Sequence, residues 1–326
     1  MRVLLYEWCC SGGLAGAAPG ECLPNIVAEG RAMLEALAAD AAKDAALDVT
    51  VLADPERPVA LPRGVLEREV PAGREVESLV AAARAHDWTV IVAPETDGIL
   101  ASRVAAARAA GARVLAPSAA FIDIAADKQA TVNALAVAGV PVPAGRTLAP
   151  GEPVPVGFRM PAVRKDRASV GCDGVQIVRD SNVAPAAKSA RLEAFVAGTP
   201  VGVSCVCGPE EVIVLPPMRQ RFTTGDAPRY TGSDLLADPG LARRAEGLAR
   251  RAVAAVDRAA GGHGASGWVG VDMILGVRDD GRADRVLEVN PRLTTSFVAL
   301  AARSGTSIVR TMLALAAGER VSDGSA

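Results

Sequence analysis

The chain has 326 residues, of which 50% are hydrophobic, so it can bury a large core and form two or three domains. The formal net charge is −2, the basic residues are dispersed and aromatic residues make up only 3%, which argues against a nucleic-acid partner. No apolar run reaches the roughly 20 residues that span a bilayer. The N-terminus lacks the long apolar segment of a signal peptide, so we expect a cytoplasmic protein without a membrane partner.

The first 118 residues alternate between strand and helix patterns. Strands are predicted at 3–8, 49–53, 89–93 and 113–116, and helices at 24–42, 76–85 and 101–110. Alternation of this kind predicts an α/β unit with a doubly wound parallel sheet. Ligands of such sheets gather at the carboxyl ends of the strands.

Two loops follow predicted strands of this sheet. One contains Glu7, Gly12 and Gly13, and its paired glycines permit close approach of the backbone. The other contains Glu95 and Thr96 directly after a buried strand, where a carboxylate is placed to hold an amine. An ordinary turn is the alternative interpretation of each loop.

The cysteines and histidines indicate neither a zinc site nor a catalytic triad. The six cysteines lack zinc-ligand spacing, and only His86 and His263 supply imidazoles. We therefore expect reduced, structural thiols. A Ser/His/Asp hydrolase is disfavoured for the same shortage of histidine.

The middle of the chain contains two lysines next to a flexible loop. Lys128 opens a predicted helix that ends near residue 139, and Lys165 ends a predicted strand at 160–165. The loop at 166–175 is rich in glycine and polar residues, and its backbone N–H groups can fold over phosphates. A plain hairpin loop is the alternative.

The last third contains strands at 202–207, 212–216 and 218–222, then a helix at 239–260 whose arginines form a solvated face. Arg219 and Arg221 alternate along one strand and share a face. Residues 268–275 and 286–290 predict a hairpin with its turn at 279–281. Helices are predicted at 296–303 and 306–318.

This hairpin places three oxygen-bearing side chains on one face. Asp272 lies opposite Glu288 and Asn290, while Leu287 and Val289 are predicted to point into the core. Carboxylate and amide oxygens are ligands that Mg²⁺ prefers. Arg292 follows with a planar fork suited to phosphate or carboxylate. An amphipathic hairpin with its polar residues in water is the alternative.

The order of these parts resembles the ATP-grasp superfamily, and the resemblance covers residues 1–318. It rests on Lys128, Lys165, the glycine loop, the segment Glu-x-Phe-Val-x-Gly at 193–198, and the aspartate and Glu-x-Asn of the hairpin. It implies an N-terminal pre-ATP-grasp α/β domain (1–118) and two α+β subdomains that clamp the nucleotide (119–192, the lid, and 193–326, with the metal site).

The resemblance also implies roles for individual residues. It assigns ATP binding to the two lysines, the lid loop and the adenine-binding segment: Lys128, Lys165, Ser169, Gly171, Gly174, Glu193, Phe195 and Val196. Glu193 would contact the adenine amino group, and the backbone of Val196 the ring edge. Mg²⁺, with Mn²⁺ as an alternative, would be held by Asp272, Glu288 and Asn290.

One position departs from the superfamily pattern. Many members carry an acidic residue shortly after the glycine equivalent to Gly198, where it binds the ribose, but here Thr199, Pro200 and Val201 follow. The ribose contact is therefore unassigned, with Ser204 as a weak candidate.

Within the superfamily the chain is most similar to tyramine–glutamate ligases of methanofuran biosynthesis and their bacterial relatives, which make a methylofuran. The similarity lies in Tyr6-Glu7 with Gly12-Gly13, in 94–98 and in 290–295. It implies that glutamate is joined to tyramine or tyrosine through an acyl phosphate. Substrate contacts are then expected from Glu7, Gly12, Gly13, Glu95, Thr96, Thr294 and Thr295, and catalytic contacts from Arg292, Arg219 and Arg221.

Two other functions stay open at this point. One is an ATP-grasp ligase for other amino acids or peptides, and the other is an ATP-binding module that has lost catalysis. The superfamily often forms dimers through its N-terminal unit, so a homodimer is one expectation, although no interface can be identified from these residues.

Overall fold

The computed structural model describes residues 1–15, 24–169 and 174–321. Within these ranges no helix is long and apolar enough to cross a membrane. The strands of the described residues form three sheets, one parallel and two antiparallel.

The parallel sheet is N-terminal and lies between two helical layers. Its elements are β1 (Arg2–Glu7), α1 (Pro24–Ala41), β2 (Asp48–Ala53), β3 (Leu66–Glu69), α2 (Glu75–Arg84), β4 (Trp88–Val92), a 3₁₀ turn (Thr96–Gly98), α3 (Ile99–Ala109) and β5 (Val114–Leu115). The strand order is β3-β2-β1-β4-β5, and all pairings are parallel. Val3 and Leu5 pack towards α1, while Leu4 and Tyr6 pack towards α2 and α3. This confirms the predicted doubly wound sheet.

The second sheet has four antiparallel strands. Its unit comprises α4 (Ala119–Ala126), α5 (Lys128–Val137), β6 (Gly145–Leu148), β7 (Ala162–Asp166), β8 (Gln176–Val178) and β9 (Ala190–Ala194), and the strand order is β6-β9-β7-β8. The Asp127 carboxylate caps α5 by accepting a hydrogen bond of 2.8 Å from the Gln129 N–H. This cap makes Lys128 the first residue of α5 and thereby fixes the position of its backbone.

The third sheet is antiparallel and carries most of the candidate site. It is built from β10 (Gly198–Cys207), β11 (Val212–Val214), β12 (Met218–Phe222), β13 (Tyr230–Leu235), α6 (Pro239–Ala259), β14 (Gly267–Gly276) and β15 (Arg285–Asn290). The strand order is β13-β12-β10-β14-β15, with β11 beside β10. Leu248, Val253 and Val256 of α6 pack against apolar residues of one sheet face. The other face borders a cavity.

The chain then returns to the N-terminal sheet. Two helices, α7 (Ser296–Arg303) and α8 (Ile308–Ala316), pack in the same core as α1. The buried Asp40 carboxylate of α1 accepts hydrogen bonds from the Val309 N–H (2.8 Å) and the Ser307 hydroxyl (3.1 Å). The end of the third predicted domain therefore shares a hydrophobic core with the first.

The hairpin of β14 and β15 has the predicted register but contains a bulge. Asp272 lies opposite Glu288, and Gly270 opposite Asn290. The register shifts between Asp272 and Met273, which leaves Leu287 as an extra residue of β15. The prediction that Leu287 points into the core is therefore wrong, because the bulge turns this residue towards the cavity.

Candidate active site

A cavity of about 580 Å³ lies between the three sheets. Its walls come from α1 and the ends of β1 and β4 on one side, from β7 and β9 on another, and from β12, β14 and β15 on the third. The loop directly after β15 closes it. The cavity therefore touches the carboxyl ends of parallel strands, where ligands of such sheets bind.

The predicted metal ligands converge on this cavity. Asp272 accepts hydrogen bonds from Gln220 Nε2 at 2.8 Å and from Asn290 Nδ2 at 2.9 Å. Burial, and then the negative charge of Glu288, raise the pKa of Asp272 to about 6. A raised carboxyl pKa means that the pair of carboxylates is electrostatically strained, and a bound cation would relieve this strain.

The donor set fits a hard divalent cation. Two carboxylates and one amide oxygen leave several coordination positions for phosphate oxygens and water, as Mg²⁺ requires. Among the described residues there is no group of three or more His, Cys, Asp or Glu side chains that could hold a metal ion. Asp272 and Glu288 supply two carboxylates, and the amide oxygen of Asn290 would be the third protein ligand.

Lys128 links three parts of the site. Its ammonium nitrogen lies 3.0 Å from Glu288 Oε1 and donates a hydrogen bond of 2.6 Å to the Ser169 carbonyl. The lysine is only 3% exposed. One buried cation thus joins the start of α5, the loop after β7 and strand β15, which carries two of the predicted metal ligands.

Lys165 and Glu193 form a second buried pair. Lys165 Nζ lies 2.8 Å from Glu193 Oε2 and donates to the Leu287 carbonyl at 3.3 Å. Arg191 Nε donates to the other oxygen of Glu193 at 2.6 Å. Both oxygens of Glu193 are therefore held by cations, next to Phe195 and Val196 in the cavity wall.

Arg191 was missed by the sequence analysis. It is 2% exposed and also donates to Gln129 Oε1 at 2.5 Å. Arg191 and Glu193 are two residues apart on β9, so they share a face. The sequence pattern that could have indicated this pair is an arginine and a glutamate two residues apart in a buried strand.

Arg292 is fixed next to the metal ligands. Its Nε donates to Glu95 Oε2 at 2.9 Å, and its Nη1 to the Leu293 carbonyl at 3.0 Å. Burial opposes its charge, but Glu95, Glu288 and Glu29 together raise its pKa. The second oxygen of Glu95 is buried and has no hydrogen-bond partner within the described chain.

The structure brings most of the predicted residues to the cavity. Those in its walls are Glu7, Lys165, Glu193, Phe195, Val196, Asp272, Glu288, Asn290, Arg292, Thr294 and Thr295. Lys128 and Glu95 adjoin it through their ion pairs with Glu288 and Arg292. Ser169 contacts Lys128, Gly174 lies beside Asp166, and Gly171 lies outside the described residues.

Arg219 and Arg221 do not line the cavity. Both are exposed, and Arg221 pairs with Asp234 on the neighbouring strand. The residues of β12 that do line it are Met218, Gln220 and Phe222. Met218 and Phe222 are the apolar residues of β12, and they identify the strand face that borders the cavity. Gln220 lies between them on the same face.

Gly12, Gly13 and Thr96 also lie away from the cavity walls. Gly13 packs beneath the indole ring of Trp8, so the close approach it permits is to a side chain of its own loop. Ser204, the candidate for the ribose, is buried and shares a hydrogen bond of 2.9 Å with the Ser296 hydroxyl; it does not line the cavity either.

One wall of the cavity was not predicted. It is formed by residues of α1 at helical spacing: Asn25, Ile26, Glu29, Gly30 and Met33. This segment was predicted as a helix at 24–42, and no site residue was predicted on it. The sequence pattern that could have indicated this wall is Glu29 on the same helix face as the apolar residues Ile26 and Met33.

Two family models match the sequence. The model of the ATP-grasp domain matches residues 125–296, and that of the pre-ATP-grasp domain matches residues 47–122. No protein of curated function matches significantly.

Several solved structures share the fold over nearly the whole chain. One is a protein from Archaeoglobus fulgidus assigned to the ATP-grasp superfamily, with 24% identity, a TM-score of 0.71 and coverage of 98% of this chain and 89% of that one. Another is D-alanine–D-alanine ligase from Bacillus anthracis, with 16% identity, a TM-score of 0.62 and coverage of 97% of both chains. Biotin carboxylase from Campylobacter jejuni has 16% identity, a TM-score of 0.70 and coverage of 99% and 72%. The three sheets, the cavity and the matched domains agree, and the chain belongs to the ATP-grasp family.

Proposed function

We propose that the protein is an ATP-dependent ligase that joins a carboxylate to an amine through an acyl phosphate. The observation that carries this proposal is the convergence of Lys128, Lys165 and the oxygen ligands of β14 and β15 on one cavity. Binding of a nucleotide alone would need fewer charged groups than this cavity provides.

Each charged group has a distinct task in this proposal. Lys128 and Lys165 bind the phosphates, because they are the two buried ammonium groups of the site. Glu193 and the backbone of Val196 bind adenine, while Ser169 and Gly174 belong to the loop that covers the phosphates. Asp272, Glu288 and Asn290 would hold Mg²⁺ or Mn²⁺. The metal would neutralise phosphate charge and orient the triphosphate.

The chemistry needs no nucleophilic side chain. An oxygen of the substrate carboxylate attacks the γ-phosphorus of ATP, and ADP leaves. The amine nitrogen then attacks the acyl carbon, phosphate leaves and one proton is released. Arg292 is positioned to stabilise the anionic intermediate of the second step. The loop over the phosphates excludes water, which would hydrolyse an acyl phosphate.

We further propose glutamate as the carboxylate and tyramine or tyrosine as the amine, in the synthesis of a methanofuran or methylofuran cofactor. Support comes from the sequence similarity around Glu7, Glu95 and Arg292. It also comes from the cavity, which combines charged groups with apolar and aromatic residues such as Met33, Phe222 and Tyr230. The neighbour named D-alanine–D-alanine ligase is likewise a ligase of amino acids by its name.

The decisive experiment measures ADP release from ATP and Mg²⁺ with glutamate, with and without tyramine or tyrosine, followed by mass detection of the product. A condensed product that depends on one amine would support the proposal and identify the acceptor. Turnover only with unrelated amino acids would indicate a ligase of other specificity. Tight ATP binding without turnover on any pair would contradict ligase activity and indicate an inactive module.

A further inference from the structure

The carboxylate of Glu29 is unusual within the cavity. It lies on α1 and is half-buried in the cavity wall. No side chain or backbone group in the described part of the chain forms a hydrogen bond or an ion pair with it, although the charge of Arg292 acts on it from a longer distance. A carboxylate that is partly removed from water without a partner is energetically costly, so a cationic ligand group would be bound favourably there.

Two other carboxylates at this end of the cavity are already engaged. Glu7 accepts a hydrogen bond of 2.9 Å from the Cys10 N–H and is 3% exposed. Glu95 is paired with Arg292 at 2.9 Å. Neither is as available as Glu29 to a ligand that enters the cavity.

The charge of Arg292 acts on carboxylates from two walls of the cavity. Arg292 follows Asn290 by two residues, and its charge interacts with both Glu288 and Glu29. In a ligase the activated carboxyl group must be near the metal and Arg292, and the amine must approach from the side away from the nucleotide. Glu29 belongs to the wall formed by α1, whereas Glu193 and Val196, the residues proposed to bind adenine, belong to β9 and the residues directly after it.

We infer that Glu29 determines acceptor specificity by binding the ammonium group of the incoming amine. This inference rests on the proposed ligase function. Ile26 and Met33 lie on the same face of α1, one turn before and after Glu29, and they provide apolar contacts for the body of the amine. Glu29 thus selects amines that are cationic in solution. The ammonium group releases one proton to solvent before its nitrogen bonds to the acyl carbon, and the bond from that carbon to the phosphate oxygen then breaks.

The test compares a charged and an uncharged nucleophile on Glu29→Gln. Tyramine is the cationic probe. Hydroxylamine, which is largely uncharged at neutral pH, is the second probe and converts an acyl phosphate to a hydroxamate. The matched control is Glu35→Gln, because Glu35 lies on the same helix but accepts a hydrogen bond of 2.8 Å from the Ala60 N–H, away from the cavity. Thermal unfolding checks that each variant is folded.

For Glu29→Gln we expect the KM for tyramine to rise about ten- to a hundredfold, as for the loss of a hydrogen bond to a charged group. Hydroxamate formation from glutamate should stay within about twofold of wild type, since Glu29 takes no part in activation. Glu29→Asp, which keeps the charge, should recover part of the loss. Glu35→Gln should match wild type with both probes.

An unchanged KM for tyramine in a folded Glu29→Gln variant would overturn the inference. An equal fall of hydroxamate and amide formation would also overturn it, because Glu29 would then act on the carboxylate. Absence of hydroxamate in the wild type would instead contradict the proposed function itself. The two failures are therefore distinguishable.

Discussion

The ammonium nitrogen of Lys128 lies 3.0 Å from a carboxylate oxygen of Glu288. The residue that we assign to phosphate binding and the residue that we assign to the metal are thus in direct contact. Lys128 is nearly fully buried, so the negative charge of Glu288 compensates a cation that would otherwise be costly to bury. We therefore expect Glu288 to contribute to both stability and activity, and a single variant can separate the two contributions.

We expect Glu288→Gln to stay folded but to lose ADP formation by at least about a hundredfold, because the change removes one of the two negative charges that would hold Mg²⁺. The amide oxygen can still accept a hydrogen bond from Lys128, so the free energy of unfolding should fall by only about 1–3 kcal/mol. Urea unfolding and an ADP assay measure the two effects. Asp280→Asn, in the exposed turn of the same hairpin, is the control, and equal turnover in the two variants would contradict the metal assignment.

The stability of the metal-free protein should depend on the ionisation of Asp272. Its pKa is raised from 3.8 to about 6 in the folded chain, so the folded state retains this proton to a higher pH than the unfolded state does. Its contribution is fully present below about pH 4 and is lost as the pH rises to about 6, by up to about 3 kcal/mol. The free energy of unfolding can be measured with urea between pH 4 and pH 6 with a chelator present. Over this pH range it should fall more in wild type than in Asp272→Asn.

The control for this titration is again Asp280→Asn. Asp280 is exposed, and its hydrogen bond with Arg278 lowers its pKa. Its removal should leave the fall between pH 4 and pH 6 intact. Parallel stability curves for wild type and Asp272→Asn would show that Asp272 is not responsible.

The buried cysteines should be unreactive in the folded protein. Burial raises the pKa of Cys205 to about 12 and also raises that of Cys207 well above its usual range. Burial, followed by the charge of Glu7, also raises the pKa of Cys10. Because the thiolate is the nucleophile, iodoacetamide at about pH 8 should not modify these three residues until denaturant is added. Peptide mass mapping before and after unfolding tests this, and rapid native modification of Cys205 would contradict its placement inside β10.

Sequence patterns predicted the strands correctly where the periodicity of apolar residues matched the burial of the side chains. The parallel sheet could be predicted from apolar strands such as those that contain Leu5 and Val90. The register of Asp272 with Glu288 could be predicted from the geometry of a hairpin. The strand β3 was missed because every one of its residues is exposed, so it has no apolar pattern to detect. Leu287 was misplaced because a bulge shifts alternation by one residue, which the sequence does not reveal.

The cavity wall formed by α1 could not be predicted, because it depends on how distant segments pack together. Glu29 and Glu95 approach Arg292 only after α1 and the end of β4 meet the loop behind β15. No spacing in the chain encodes that contact. The convergence of Asp272, Glu288 and Asn290 could be predicted because these residues lie on two adjacent strands joined by a short turn.

The contact between Gly30 and Glu7 gives a prediction about the wall formed by α1. A Cβ atom at Gly30 would lie 2.5 Å from Glu7 Oε1, so Gly30→Ala must displace a buried carboxylate, at a cost of about 1–3 kcal/mol. We expect this variant to be less stable and to show a raised KM for its amine substrate. Gly247→Ala, in the exposed part of α6 with no atom within 4 Å of the new methyl group, should instead gain about 0.5–1 kcal/mol. Urea unfolding of both variants tests this prediction. A Gly30→Ala protein as stable as Gly247→Ala would show that Glu7 does not pack against α1.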